Sequence, residues 1–184
     1  MDRLNAELRR QGLGKRYQHE KHESYDCWNC ITDKDSVVRS ISQSHKQIVR
    51  YAKQYDLPSV PIMEDDVWMP SETAWNTFLT NTPNSFDIWL AGAYNVALPP
   101  LQPIETGWSG MHCYIVHKRF YDAFLSVDES KHLDTALSAL NPEVYLQYPM
   151  AAIQYPGQSA TLRKWVDYNL QLKTEDVLGY SDRG

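Results

Sequence analysis

Apolar residues recur three or four positions apart in several stretches of the chain, which predicts amphipathic helices. The longest of these stretches contains Val38, Ile41 and Val49, and Pro58 follows it. Because a proline disfavours helical backbone just before it, this helix is expected to end ahead of residue 58. The predicted helices cover residues 2–11, 35–55, 72–81, 118–126 and 132–140. We expect Ser71 to act as the N-cap of the third helix.

Short, continuous apolar runs bounded by polar residues predict buried strands. The predicted strands cover residues 59–63, 86–92, 111–117 and 144–148. Residues 93–109 contain three prolines and predict a long loop, and a loop of that length in a compact domain commonly has a function. Residues 15–35 are polar and irregular, and weak periodicity beyond residue 165 predicts a loosely packed tail.

The alternation of helices and strands predicts an α/β fold. The 184 residues fit one domain, which we place at residues 1–165, with residues 166–184 as a C-terminal tail. Ligands of open α/β sheets bind beyond the carboxyl ends of the strands. The strand predicted at residues 59–63 ends at three acidic residues, 64–66. This acidic triplet is therefore the first candidate for a functional site.

Charge and composition exclude several classes of partner. The net charge is −5 and no block of Lys or Arg is present, which argues against duplex nucleic acid because a phosphate backbone requires clustered cations. No apolar run approaches the roughly 20 residues that span a bilayer, and residues 1–5 lack an apolar signal core. Three cysteines are few for a disulfide scaffold. We therefore expect a cytoplasmic protein without a transmembrane segment, while peripheral membrane contact and the oligomeric state stay open.

Two of the three acids in the triplet are predicted to share a site. Side chains at positions i and i+2 of extended backbone point the same way, so Glu64 and Asp66 are expected to face one point while Asp65 faces away or closes the turn. Converging carboxylates repel each other unless a cation joins them. Mg²⁺ and Mn²⁺ accept one or two carboxylates together with waters and substrate phosphates. The alternative is an acidic turn on the protein surface.

The triplet belongs to a longer motif. Residues 59–67, which read SVPIMEDDV, resemble the hydrophobic strand followed by Glu-Asp-Asp-Val in glycosyltransferase family 25. That family includes the bacterial lipooligosaccharide galactosyltransferases and the collagen galactosyltransferases. Other segments resemble the family in the same order along the chain, namely Ser44-His45, residues 86–92, residues 110–116, Asp134, Val144-Tyr145, Pro149, Gln154 and Ser159. The resemblance spans residues 2–160.

The resemblance implies a GT-A-like nucleotide-diphospho-sugar transferase fold, with a mixed central sheet flanked by helices. It implies inverting transfer of a hexose, galactose or glucose, from a UDP-sugar to a hydroxyl of a glycan or lipooligosaccharide acceptor, with Mn²⁺ or Mg²⁺. By the same resemblance Glu64 and Asp66 bind the metal and Asp65 contacts the donor. Two features depart from the family, because its first strand has no counterpart ahead of Met1 and Ser40-Ile41 replace a Gly-Cys pair. An inactive binding module on the same fold is therefore the alternative.

Several further residues are candidates for the site. Inverting transfer requires a base for the acceptor hydroxyl, and the resemblance assigns this role to Asp134, which would otherwise cap its helix. Glu105 in the long loop is the second candidate base. The candidates for donor or substrate contacts are His45, Trp108, His112 and Gln154. For His45 and His112 the alternative is a structural hydrogen bond, and for Trp108, which would stack on a sugar, the alternative is a position over the core.

A separate cluster of histidines and cysteines suggests another chemistry. His19, His22, Cys27 and Cys30 are residue types that together bind zinc tetrahedrally. Four residues separate the two pairs, which is a shorter spacer than zinc units usually have. The alternatives are a small zinc-stabilised interaction protein and a polar connector that carries two thiols.

Overall fold

The computed structural model describes residues 2–13, 34–104, 107–159 and 161–181, which form a mixed α/β structure. The α-helices are α1 (Asp2–Arg10), α2 (Lys34–Gln54), α3 (Ala74–Thr80), α4 (Tyr121–Ser126) and α5 (Leu133–Ser138). The strands are β1 (Ser59–Met63), β2 (Val67–Trp68), β3 (Ile88–Leu90), β4 (Cys113–His117), β5 (Val144–Leu146), β6 (Ile153–Gln154), β7 (Gly157–Ser159) and β8 (Lys164–Val166). Short 3-10 helices cover Lys118–Phe120, Tyr168–Gln171 and Thr174–Asp176.

The predicted helices are confirmed in place, although α3, α4 and α5 are each shorter than the predicted ranges. Helix α3 begins at Ala74 rather than at residue 72, and its N-cap is Thr73. Ser71 is not the cap, because its hydroxyl accepts a hydrogen bond from the backbone N–H of Thr73 at 3.2 Å in a local turn. Within the described ranges, no helix combines the length and the apolar character that crossing a bilayer requires.

The four predicted strands form one mixed sheet in the order β1-β4-β3-β5. Strand β4 is antiparallel to both β1 and β3, whereas β3 and β5 are parallel. Strand β3 is shorter than the predicted range of residues 86–92, and all three of its residues are buried. This burial arises because β3 lies inside the sheet and both faces of the sheet are covered.

Side chains of β4 alternate between two hydrophobic clusters, one on each face of the sheet. Tyr114 and Val116 belong to a cluster with buried residues of α2, α4 and α5. Cys113 and Ile115 belong to a second cluster with buried residues of α1 and α3, including Phe78. Helices therefore cover both faces, and the carboxyl end of β1 opens at one edge of this three-layer arrangement.

The segment after residue 165 is packed against the rest of the chain, so the expectation of a loose tail is wrong. Val177 is 2% exposed and lies in the core. The backbone N–H of Met150 donates to the carbonyl of Asp176 at 2.7 Å, and the N–H of Leu178 donates to the carbonyl of Met150 at 2.9 Å. These backbone bonds join the segment to the loop after β5, a connection that sequence periodicity does not reveal.

Candidate functional site

The backbone holds the acidic triplet between the central sheet and the small β2–β6 sheet. The N–H of Glu64 donates to the carbonyl of His112 at 2.8 Å, which extends the β1–β4 ladder past Met63. The carbonyl of Asp66 accepts from the N–H of Tyr155 at 2.8 Å. Strand β2 follows at once and pairs antiparallel with β6. The triplet is therefore fixed on both sides and is not a free surface turn.

Glu64 and Asp66 converge on one side chain. The amide nitrogen of Gln154 donates to Oε2 of Glu64 at 3.4 Å and to Oδ2 of Asp66 at 3.2 Å. Asp65, between them in the sequence, is exposed. The predicted convergence is present, but a turn produces it rather than extended backbone, because the N–H of Val67 donates to the carbonyl of Glu64 at 3.3 Å. Gln154 bridges the two carboxylates.

A histidine holds the other oxygen of Glu64. Nε2 of His45 lies 3.3 Å from Oε1 of Glu64, and Nδ1 of the same ring lies 2.6 Å from the hydroxyl of Tyr114. A tyrosine hydroxyl donates readily, so we assign Nδ1 as its acceptor and place the imidazole proton on Nε2, where it faces the carboxylate. His45 thus lies beside Glu64, and Tyr114 orients it. Its predicted contact with the donor stays a prediction.

Asp66 holds its proton more tightly than an ordinary carboxyl group. Burial, and then the negative charge of Glu64, raise the pKa of Asp66 from 3.8 to about 7, while the hydrogen bond from Gln154 opposes the rise. Oδ1 of Asp66 is buried and has no hydrogen-bond partner in the described part of the chain. A divalent cation would give this oxygen a partner and favour the ionised carboxylate over the protonated one.

The donor set fits a divalent cation that keeps other ligands of its own. Glu64 and Asp66 are the residues that could hold it, and a turn of the Gln154 amide would add a carbonyl oxygen. No group of three or more His, Cys, Asp or Glu side chains suited to a metal occurs among the residues that the structure describes. Two carboxylates suit Mg²⁺ or Mn²⁺ bound together with water and phosphate oxygens better than a closed structural cage.

Two polar residues that the sequence analysis did not select keep Gln154 in place. The hydroxyl of Tyr94 accepts from the backbone N–H of Gln154 at 3.0 Å and donates to Oδ1 of Asn169 at 3.1 Å. The amide nitrogen of Asn169 in turn donates to the carbonyl of Gln154 at 2.8 Å. Burial raises the pKa of the Tyr94 hydroxyl, which therefore stays protonated as a donor. No local pattern marks these residues, because they lie in a loop and in a 3-10 helix.

Two predicted substrate contacts are corrected by the structure, because both side chains are buried. The ring of His112 is completely buried, and its Nε2 donates to the carbonyl of Ala152 at 3.2 Å. Burial lowers the pKa of His112, so the ring is a neutral structural donor. Trp108 is 3% exposed and belongs to the core, so its ring does not offer a face to a sugar.

Of the two candidate bases, the structure describes Asp134 and not Glu105. Asp134 lies in the first turn of α5, after the N-cap His132, and its Oδ1 accepts from the N–H of Thr135 at 2.7 Å. Asp134 therefore follows the N-cap and is not the cap itself. Among the described residues, no hydrogen bond joins Asp134 to Glu64 or Asp66. Its role as base stays a prediction. Glu105 lies outside the described residues, as do all four members of the histidine and cysteine cluster, His19, His22, Cys27 and Cys30.

The site thus consists of two convergent carboxylates, an amide that bridges them and an oriented histidine. These groups meet beyond the carboxyl end of β1, an edge strand of the central sheet. Two such carboxylates could hold a divalent cation that also keeps water or phosphate ligands. Comparisons of the chain with protein-family models, with curated proteins and with solved structures find no match.

Proposed function

We propose that the chain is a divalent-metal-dependent glycosyltransferase with a GT-A-like fold. In this proposal it transfers a hexose, galactose or glucose, from a UDP-sugar to a hydroxyl of a glycan or lipooligosaccharide acceptor, with inversion. The observation that carries the proposal is the convergence of Glu64 and Asp66 on Gln154 at the carboxyl end of β1. The order of family-25-like segments along the sequence supports the same function.

The chemistry requires positive charge at the leaving group. When UDP-sugar is the donor, the bond from the anomeric carbon to the diphosphate oxygen breaks as the acceptor oxygen attacks from the opposite face. A bound Mn²⁺ or Mg²⁺ would supply the charge that stabilises the departing diphosphate. Glu64 and Asp66 would hold the ion, while His45 and Gln154 keep their carboxylates oriented. In the family-based assignment, Asp134 accepts the proton of the acceptor hydroxyl.

Calorimetry of UDP binding tests the metal site. We expect UDP to bind with Mn²⁺ and not with a chelator, and Asp66→Asn to weaken binding by more than about 100-fold, since even the outer partners of metal ligands contribute 10–100-fold. Glu72→Gln is the matched control, because it removes one exposed negative charge outside the site. Absence of UDP binding in the presence of Mn²⁺ overturns the proposal.

A non-catalytic nucleotide-binding module on the same scaffold is the second candidate. The burial of His112 and Trp108 favours it, because both were expected to contact the sugar. The two candidates differ in turnover. A transferase hydrolyses or transfers from UDP-galactose or UDP-glucose with Mn²⁺ and loses this activity in Asp134→Asn, whereas a binding module binds UDP and releases no sugar from either donor.

A further inference from the structure

The hairpin formed by β7 and β8 is exposed or half-buried along its described length. Its strands form a two-stranded sheet that no other strand joins. None of residues 157–159 or 161–166 is buried. Trp165 is 64% exposed and Leu162 is 46% exposed, and an isolated two-stranded hairpin is only marginally stable in water. Two large apolar side chains are therefore displayed on an element that the protein core does not cover.

The same hairpin concentrates positive charge on an acidic protein. Arg163 and Lys164 lie between the two apolar residues, and both are exposed. The stretch from Tyr155 to Val166 contains no Asp or Glu. In the described part of the chain, neither cation forms a hydrogen bond or ion pair through its side chain. The hairpin tip thus combines an exposed tryptophan and leucine with two cations.

We propose that this hairpin docks on the surface of a lipid bilayer that contains anionic headgroups. Trp165 and Leu162 enter the interface between headgroups and acyl chains, where an amphipathic indole ring is favoured. Arg163 and Lys164 contact the lipid phosphates, with their stems lying along apolar surface. Trp165 and Lys164 are neighbours on β8 and point to opposite faces of the hairpin, so a hairpin that enters tip first brings both to headgroup depth.

The charge of the rest of the chain does not prevent this contact. The net charge of −5 opposes approach to an anionic surface only within the screening distance, which is about 8 Å at physiological ionic strength. Residues beyond that distance contribute little. The local charge of the tip therefore decides the interaction, and it is positive.

The position of the hairpin links membrane docking to the candidate site. The hairpin starts three residues after Gln154, which bridges the two acids, and Asn169 shortly after β8 bonds back to the Gln154 carbonyl. Both ends of the hairpin are thus fixed to the candidate site, and a docked tip holds that site near the bilayer. The inference goes beyond the proposed function and does not depend on it.

Vesicle flotation of the full chain tests the docking. We expect flotation with phosphatidylcholine vesicles that contain about a third phosphatidylglycerol, and little with phosphatidylcholine alone, since each basic residue near an anionic surface strengthens binding roughly fivefold. The double variant Arg163→Gln/Lys164→Gln is then expected to bind about 25-fold more weakly. The double variant Leu162→Ser/Trp165→Ser is expected to lose at least about tenfold through its apolar contacts.

Matched controls come from exposed residues elsewhere. Leu101→Ser removes a leucine that is 90% exposed, and Lys131→Gln removes an exposed cation, so both variants are expected to float like the wild type. Circular dichroism checks that the variants stay folded. The proposal is overturned if the wild type does not float with anionic vesicles, or if the hairpin variants float as it does. Self-association that the hairpin variants abolish, with flotation unchanged, would assign the hairpin to a second copy of the chain and also overturns it.

Discussion

The hydroxyl of Tyr114 lies 2.6 Å from Nδ1 of His45 inside the protein. Tyr114 is completely buried and His45 is 6% exposed, and the opposite ring nitrogen of His45 faces Glu64 at 3.3 Å. A chain of hydrogen-bonding groups thus runs from the core of the sheet to one of the two convergent acids. The orientation of a carboxylate at the site therefore depends on a residue that contacts no solvent.

Replacing the tyrosine tests this chain. Tyr114→Phe keeps the ring and removes the hydroxyl, which leaves Nδ1 of His45 buried without a donor. An unpaired buried polar group costs about 1–3 kcal/mol, so we expect the free energy of unfolding, measured with urea, to fall by that amount. Tyr145→Phe is the control, because its hydroxyl bonds to Glu143 from a half-buried position. Equal losses of unfolding free energy in the two variants would mean that the buried Tyr114–His45 hydrogen bond contributes no more to stability than the half-buried Tyr145–Glu143 bond.

The elements that position the acids were predictable from local pattern. An apolar run followed by three acids predicts β1 and its carboxyl end. Glu64 and Asp66 face one point as predicted, but through a turn over residues 64–67 and not through the alternation of side chains on extended backbone. The helical spacing of apolar residues likewise predicts α2, which carries His45. Each of these features depends on residues that lie close together in the sequence.

The remainder of the site depends on contacts between distant parts of the chain. Gln154 bonds to Asp66 from 88 residues away, and Tyr94 bonds to Asn169 from 75 residues away. Loop and 3-10 backbone brings these groups together, and such backbone has no periodicity that would reveal its packing. For the same reason the burial of Trp108 was not predictable, since a tryptophan between glycines in a loop suits an exposed ring equally well.

The raised pKa of Asp66 predicts a pH dependence of stability in the presence of a chelator. The folded carboxyl binds its proton up to about pH 7, while the unfolded carboxyl releases it near 3.8. Between these values the native state holds the extra proton, so the contribution of Asp66 to the unfolding free energy falls as pH rises and is constant above that window. Asp66→Asn removes this pH dependence and changes the unfolding free energy by an amount that does not vary with pH.

Urea unfolding of the wild type and Asp66→Asn, from pH 3.8 to about 7 and at pH values above that window, measures the effect. We expect the wild type to lose stability relative to the variant as pH rises, and the difference between the two curves to be flat above the window. Mn²⁺ is expected to reduce the loss, because it stabilises the ionised form. Parallel curves throughout the range would show that Asp66 titrates as an ordinary carboxyl.

Gly92 lies so close to neighbouring backbone that a side chain at this position would collide with it. A Cβ at this position would lie 1.8 Å from the carbonyl oxygen of Ala152, the same oxygen that accepts from His112. Gly92→Ala therefore has to move backbone, and we expect a loss of about 3 kcal/mol or more in thermal or urea unfolding. Gly157→Ala is the matched control, since its nearest neighbour lies 3.9 Å from the added Cβ. A stable Gly92→Ala variant would contradict the close approach of these two segments.

The two tryptophans with opposite exposure give the last prediction. Trp108 is 3% exposed within the core and Trp165 is 64% exposed on the β7–β8 hairpin. Truncating a buried tryptophan removes its transfer free energy and leaves a cavity, so Trp108→Ala should lower the unfolding free energy by about 3–5 kcal/mol. Trp165→Ala removes a ring that no core residue covers, and its effect should stay within about 0.5 kcal/mol. Urea unfolding compares the two variants. Similar losses of unfolding free energy would mean either that Trp165 packs on the core or that Trp108 lies outside it.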